Sequence, residues 1–170
     1  IDLATQHQVD RFLPPCEVPQ CLDSAQPVTI GGMTFPQETL SQRLDLDEAL
    51  RRVPAVLEEH RRQFREVFGR DVSGAVQAYH CEDADRILIA SGTVASTLRD
   101  VVDAWRARGE RVGMIRIKMF RPFPREEILE LCAGAEKIGV LDRNYGAGVG
   151  GIFCHEVRAS LQGQESTSGQ

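Results

Sequence analysis

An α/β domain built on a mostly parallel sheet is predicted for the second half of this 170-residue sequence. Three observations predict it. From Ala75 onward, short apolar β-branched runs alternate with segments of helical period, the pattern of strand–helix–strand units with right-handed crossovers. The stretch Gly109–Pro124 contains a run, with Met114, Ile115, Ile117, Met119 and Phe120, that is apolar on both faces, as a strand covered from two sides requires. Glycines punctuate the helical segments where they should stop, at Gly69, Gly109 and Gly134.

The elements follow in order. Residues Ile1 to Gln37 show no sustained period and carry Pro14, Pro15, Pro19, Pro27 and Pro36, so 1–45 is expected to be an extended arm. Phe12-Leu13-Pro14-Pro15 is its candidate anchor, and Val28-Thr29-Ile30 a candidate edge strand before Gly31-Gly32. Leu46, Leu50, Val53, Leu57, Phe64 and Phe68 fall on one helical stripe, which predicts a linking helix over 46–73. Pro54 interrupts it and predicts a kink near Val53 or a start near Arg52. A domain over 74–161 follows. Its strands are expected at Ala75–Tyr79, Arg86–Ser91, Val112–Phe120 and Ile138–Leu141, and its helices at Val94–Trp105, Pro124–Ala133 and Ile152–Leu161. Pro122 and Pro124 end the third strand in a rigid loop, and Glu126 and Glu127 suit the first turn of the helix beyond it.

Composition narrows function. A formal net charge of -5 argues against nonspecific nucleic-acid binding, which needs a basic field. No apolar run is long enough to cross a bilayer and no signal-peptide pattern is present. The five cysteines, Cys16, Cys21, Cys81, Cys132 and Cys154, are odd in number and scattered, which fits a reduced cytoplasm rather than a disulfide framework. No C-x-x-C pair exists, although Cys16 and Cys21 flank a proline-bearing loop and leave a metal role open. The sequence opens on Ile1 and closes on the polar stretch 162–170, a disordered tail by composition. Both ends suggest a piece of a longer protein.

Two stretches carry candidate chemistry. Gly146-Ala147-Gly148-Val149-Gly150-Gly151 matches G-x-G-x-x-G before a helix, making Gly146, Gly148 and Gly151 phosphate-loop candidates. Four residues separate it from the strand, and no acid follows at the right distance, so a permissive turn competes with that reading. Asp142-Arg143-Asn144 sits at the carboxyl end of a strand, where open α/β sheets bind ligands; a loop ion pair and a helix cap form its plain alternative. No Ser/His/Asp or Cys/His triad and no metal-ligand cluster follow from spacing.

Several runs, taken together, resemble a known family. They are Phe68-Gly69-Arg70, Glu82-Asp83-Ala84-Asp85, Ile89-Ala90-Ser91-Gly92-Thr93, Val112-Gly113-Met114-Ile115-Arg116-Ile117, Phe120-Arg121-Pro122-Phe123-Pro124 and Val140-Leu141-Asp142-Arg143-Asn144. In that order they resemble domain II, the transketolase C-terminal-like domain, of the α subunit of pyruvate:ferredoxin and related 2-oxoacid:ferredoxin oxidoreductases. Val9-Asp10-Arg11-Phe12-Leu13-Pro14-Pro15 and Pro27-Val28-Thr29-Ile30-Gly31 resemble the end of the preceding pyrimidine-binding domain; Cys16 departs from the aromatic residue expected there.

The resemblance implies a Rossmann-like, three-layer α/β/α fold with strand order 1-3-2-4-5, the first strand antiparallel, of which this sequence supplies four. It implies an enzyme that decarboxylates a 2-oxoacid with thiamine diphosphate, Mg2+, coenzyme A and [4Fe-4S] clusters, passing electrons to ferredoxin. The cofactor-contacting residues of that family lie in other domains and subunits, so this chain is expected to be inactive alone, with no catalytic residue and no bound cofactor. Its partners would be the pyrimidine-binding domain and the β, γ and δ subunits or fused domains. Arg121, Pro122, Phe123, Pro124, Asp142, Arg143 and Asn144 are its candidate interface. A stand-alone nucleotide-binding module, or the C-terminal domain of a transketolase or 2-oxoacid dehydrogenase, are the alternatives.

Overall fold

The computed structural model describes residues 3–16, 21, 23–28 and 31–162. The chain divides into two units, Ile1–Val72 and Ser73–Gln170. Thr29 and Ile30 of the expected edge strand, and the tail from residue 163, fall outside the described residues. Val28 is 46% exposed and in no strand.

In the first unit the expected arm contains a helix, α1 (Gln6–Phe12). A capping box starts it: the Thr5 amide donates to Gln8 Oε1 at 2.9 Å, and the Gln8 amide to Thr5 Oγ1 at 3.3 Å. Seven residues are too few for a helix that stands alone in water. Phe12 supplies the tertiary contact, its ring 5.5 Å from that of Phe64 and 5.4 Å from that of Phe68. The expected anchor is therefore Phe12; Leu13 remains 58% exposed.

Helix α2 (Pro36–Phe68) corrects the expected linking helix at its start. It begins well before Leu46 and runs without interruption through Pro54. Pro36 occupies the first helical turn, where its missing N–H costs nothing. Glu38 accepts the Phe35 amide at 3.0 Å. Around Pro54, which removes one backbone bond, i,i+4 pairs Arg51–Asp47 and Arg52–Glu48, both at 2.8 Å, support the preceding turns. Gly69, at φ 67°, ends the helix in the left-handed conformation that glycine adopts without strain.

The second unit is a four-stranded sheet of β1 (Val76–Tyr79), β2 (Arg86–Ser91), β3 (Val112–Ile117) and β4 (Lys137–Leu141), in the order β1-β3-β2-β4. β1 is antiparallel to β3; β3 and β4 flank β2 in parallel. That is the expected order and direction for four strands. β3 ends at Ile117, earlier than the apolar run suggested, because the amides of Lys118 and Met119 turn to the Ala75 carbonyl instead of a ladder partner.

Strand alternation sorts the core into two layers. Ala90, Val112 and Met114 pack with Ala95, Leu98 and Val102 of α3 (Gly92–Arg106). Ile87, Ile89, Ile115 and Ile117 pack with Ile128 and Cys132 of α4 (Arg125–Cys132) and Val157 of α5 (Ile152–Gln162). Gly113 is demanded by a close approach: a Cβ there would lie 2.5 Å from the His80 carbonyl oxygen. His80 turns that corner at φ 53°, and Arg106 braces it by donating to the His80 carbonyl at 2.8 Å and to Asp83 at 2.6 Å.

Candidate functional site

The carboxyl ends of β2, β3 and β4 place most of the sequence-predicted site residues on one side of the sheet. After β4, Asp142 turns back onto α5. Its Oδ2 accepts the Phe153 amide at 2.8 Å and the Cys154 amide at 3.4 Å. Asn144 Oδ1 accepts the Ile152 amide at 2.7 Å, and the Asn144 side-chain amide closes onto Asp142 Oδ1. Two side chains just past the strand end thus satisfy three orphan donors of the helix that starts at Ile152, and the Asp142 charge complements the helix dipole.

The glycine loop is shaped around this cap. A Cβ on Gly151 would lie 2.6 Å from Asp142 Cβ and Cγ, so glycine is required beneath the carboxylate. Gly146 and Gly150 exchange a pair of backbone hydrogen bonds at 2.9 Å, and Gly148 and Gly150 take φ of 77° and 98°. The His155 ring meets the Val149 carbonyl. Of the phosphate-loop candidates, Gly146 closes the turn, Gly148 supplies its left-handed corner and Gly151 makes room for Asp142. The α5 amides that would face an anion already donate within the chain.

After β3, the Arg121–Pro122 peptide bond is cis. Arg121 is exposed; its guanidinium lies 4.0 Å from the Phe120 ring centroid and donates to Glu156 of α5 at 2.5 Å. Phe120 in turn meets Phe153 at 5.1 Å. Phe123 packs against the core cluster and Pro124 is buried. The loop is therefore pinned on two sides, with Arg121 outward and Phe123 and Pro124 inward. Arg143 is exposed and has neither ion pair nor hydrogen bond among the described residues. It lines a cleft of about 450 Å³ with Asp142, Asn144 and the Ser91-Gly92-Thr93 turn.

Elsewhere the titratable groups serve the fold. Burial pushes the Cys132 thiol up to about 11, and burial also raises Cys81, whose Sγ donates to the Met114 carbonyl at 3.3 Å; both are poor thiolates. Arg106 hydrogen bonds hold the Asp83 carboxyl below its ordinary value. Among the described residues, no three His, Cys, Asp or Glu side chains come together as metal ligands. Among the described residues the cysteines do not gather as an iron–sulfur cluster requires. No helix among the described residues is long and apolar enough to cross a membrane.

A family model described as pyruvate:ferredoxin oxidoreductase core domain II matches residues 84–168, from the start of β2 through all the carboxyl-edge residues named above. The chain belongs to the pyruvate:ferredoxin oxidoreductase core domain II family. It is 39% identical over 97% of its length to pyruvate synthase subunit PorA of Methanothermobacter thermautotrophicus, covering 43% of that protein. It is 34% identical over 95% of its length to ketoisovalerate oxidoreductase subunit VorA of Pyrococcus abyssi, covering 41%. A solved 2-oxoglutarate:ferredoxin oxidoreductase from Magnetococcus marinus aligns at a TM-score of 0.45 and 21% identity over 59% of this chain and 18% of that one. The chain spans less than half the length of the curated relatives it matches.

Within this core domain II, sequence reasoning named Asp142 and Asn144 and offered a cap as one reading. It did not find Gly151 as the consequence of Asp142, nor His155 as the latch of the loop. A glycine required by a carboxylate from the end of the preceding strand leaves no periodic signal. The Arg121–Glu156 pair joins residues far apart in sequence and was likewise invisible.

Proposed function

We propose that this chain is the assembly part of the α subunit of a thiamine diphosphate-dependent 2-oxoacid:ferredoxin oxidoreductase, with pyruvate as the oxoacid. It works in the cytoplasm beside the pyrimidine-binding domain and the remaining subunits or fused domains. These hold thiamine diphosphate, Mg2+ and the [4Fe-4S] clusters and deliver electrons to ferredoxin. The observation that carries the reading is the 39% identity to a pyruvate synthase subunit across 97% of the chain.

The chain's own contribution is a rigid platform. Asp142, Asn144 and the Arg121–Glu156 pair fasten the loops after β3 and β4 to α5. Arg121, Pro122, Arg143 and Asn144 then form the face that meets partner domains, with Phe123 and Pro124 supporting it from beneath. A pre-ordered face lowers the entropy lost on association.

The test is reconstitution. The complete α subunit containing this chain is co-expressed with the other subunits, and coenzyme A-dependent reduction of ferredoxin is followed with pyruvate and with 2-oxoisovalerate. Turnover with pyruvate, and none by this chain alone, is the expected result. A complex that assembles but turns over no 2-oxoacid, or decarboxylation by this chain alone, would overturn the reading.

A further inference from the structure

The loop between Asn144 and Ile152 turns its largest side chains outward. Tyr145 is 81% exposed, Val149 65% and Ile152 42%. With His155 they line one groove of about 470 Å³ in which the described residues place no acidic or permanently cationic side chain. The groove is held in shape by the Gly146–Gly150 bonds, the His155–Val149 contact and the Asn144–Ile152 bond, so little order is lost when something fills it. Asn144 is also a wall of the neighbouring cleft, where Arg143 sits with no partner among the described residues. An apolar groove thus adjoins a guanidinium that makes no ion pair among the described residues, although the Asp142 carboxylate, engaged by the α5 amides, shares its cleft. Tyr and Arg are side chains in which interface energy concentrates, and a guanidinium is best complemented by a carboxylate in bidentate geometry.

We infer that this groove receives an apolar side chain of a partner subunit, flanked by an Asp or Glu that pairs with Arg143. The inference rests on the assembly role proposed above and names the anchor within it. Tyr145, Val149 and Ile152 clasp the apolar side chain, and Arg143 selects an acidic neighbour and so sets the register of the contact.

Tyr145→Ala, Val149→Asp, Arg143→Glu and Arg143→Gln are each placed in the complete α subunit, and its dissociation constant for the remaining subunits is measured at two salt concentrations. The same variants are made in this chain for thermal melts and sedimentation. The chain variants should melt as the unsubstituted chain does. Assembly should weaken at least tenfold for Tyr145→Ala, Val149→Asp and Arg143→Glu, and the salt dependence should fall in Arg143→Gln. Unaltered dissociation constants for Tyr145→Ala and Val149→Asp would overturn the proposal. So would a self-associating chain that Val149→Asp makes monomeric, because a second copy would then fill the groove. An unaltered constant and salt dependence in the Arg143 variants would overturn the acidic neighbour. Groove-dependent assembly of a complex that oxidises no 2-oxoacid would defeat the enzymatic reading and leave this one standing.

Discussion

The helical unit has no fully buried side chain among its described residues, although α2 runs for 33 residues. In the sheet unit, α4 is only eight residues long yet sets Ile128 and Cys132 into the core. The contrast separates two ways of holding a helix. α2 is held mainly locally, by Pro36 and Glu38 at its start, Gly69 at its end and a ladder of exposed ion pairs that are individually weak in water. α4 would not persist in water by itself and exists because burial of its apolar side pulls it onto the sheet. Local support yields a unit that should lose order gradually, whereas burial yields one that should melt in a single step.

The largest expected effect comes from Ile115→Ala, at a side chain with no exposed area. It should destabilise the sheet unit by ~2–5 kcal/mol. The single tryptophan, Trp105 on α3, reports that unit by fluorescence, while far-UV circular dichroism also reports α2. The Trp105 transition should move to lower urea while much of the helical signal persists. Coincident shifts in both signals would show one cooperative block and dissolve the contrast.

Next in size is Asp142→Ala, which removes the charged acceptor of two α5 amides. Hydrogen bonds to charged groups contribute ~1.5–3 kcal/mol, so the Trp105 midpoint should again fall. Hydrogen exchange at Phe153 and Cys154 should accelerate by more than the global loss explains; equal acceleration throughout the sheet would mean that α5 needs no cap.

Phe12→Ala acts on the other unit. Its two ring contacts are worth ~0.5–1.5 kcal/mol each beyond area burial, and their loss should release α1 with no change in the Trp105 transition. Thr5→Ala should give a smaller loss of α1 helicity, ~0.5–1 kcal/mol for an exposed cap. A helical signal unmoved by both would mean that α1 is held by something other than its cap and Phe12.

The smallest effect is a pH dependence in the first unit. Hydrogen bonds from Arg61, and then Arg65, hold the Asp71 carboxyl down at about 2, against an ordinary value of 3.8. A carboxylate whose folded value is depressed stabilises above its unfolded value, and that contribution fades as pH falls through the folded one. The Asp71–Arg61 contact should therefore be fully present above about pH 4.8, a unit above the unfolded value, and fade toward about pH 2. A carbon-detected titration of Asp71 checks it; an ordinary midpoint would show that the exposed pair does not persist in solution.

The alternation of Arg86–Ser91, Val112–Ile117 and Lys137–Leu141 with helical segments was legible because period-two and period-3.6 patterns are local properties of a chain. The sequence carried local signals for α1 and for the start of α2 as well. Thr5 and Gln8 spell a capping box, and Pro36 with Glu38 marks a helix start, although both prolines and caps also serve loops. The strand order β1-β3-β2-β4 rests on the family resemblance, since no local pattern distinguishes which parallel strand is central.

By itself the sequence determined which segments are strands and helices of the α/β domain and that Gly69 stops a helix, because periodicity and backbone preference act within a few residues. Only the tertiary structure decided that Gly151 must be glycine because Asp142 lies over it, and that Gly113 must be glycine because the His80 carbonyl approaches it. It alone turned Phe123 inward while leaving Arg143 and Tyr145 outward. These are relations between residues distant along the chain, fixed by where the packed elements bring them, and composition and spacing hold no record of that distance.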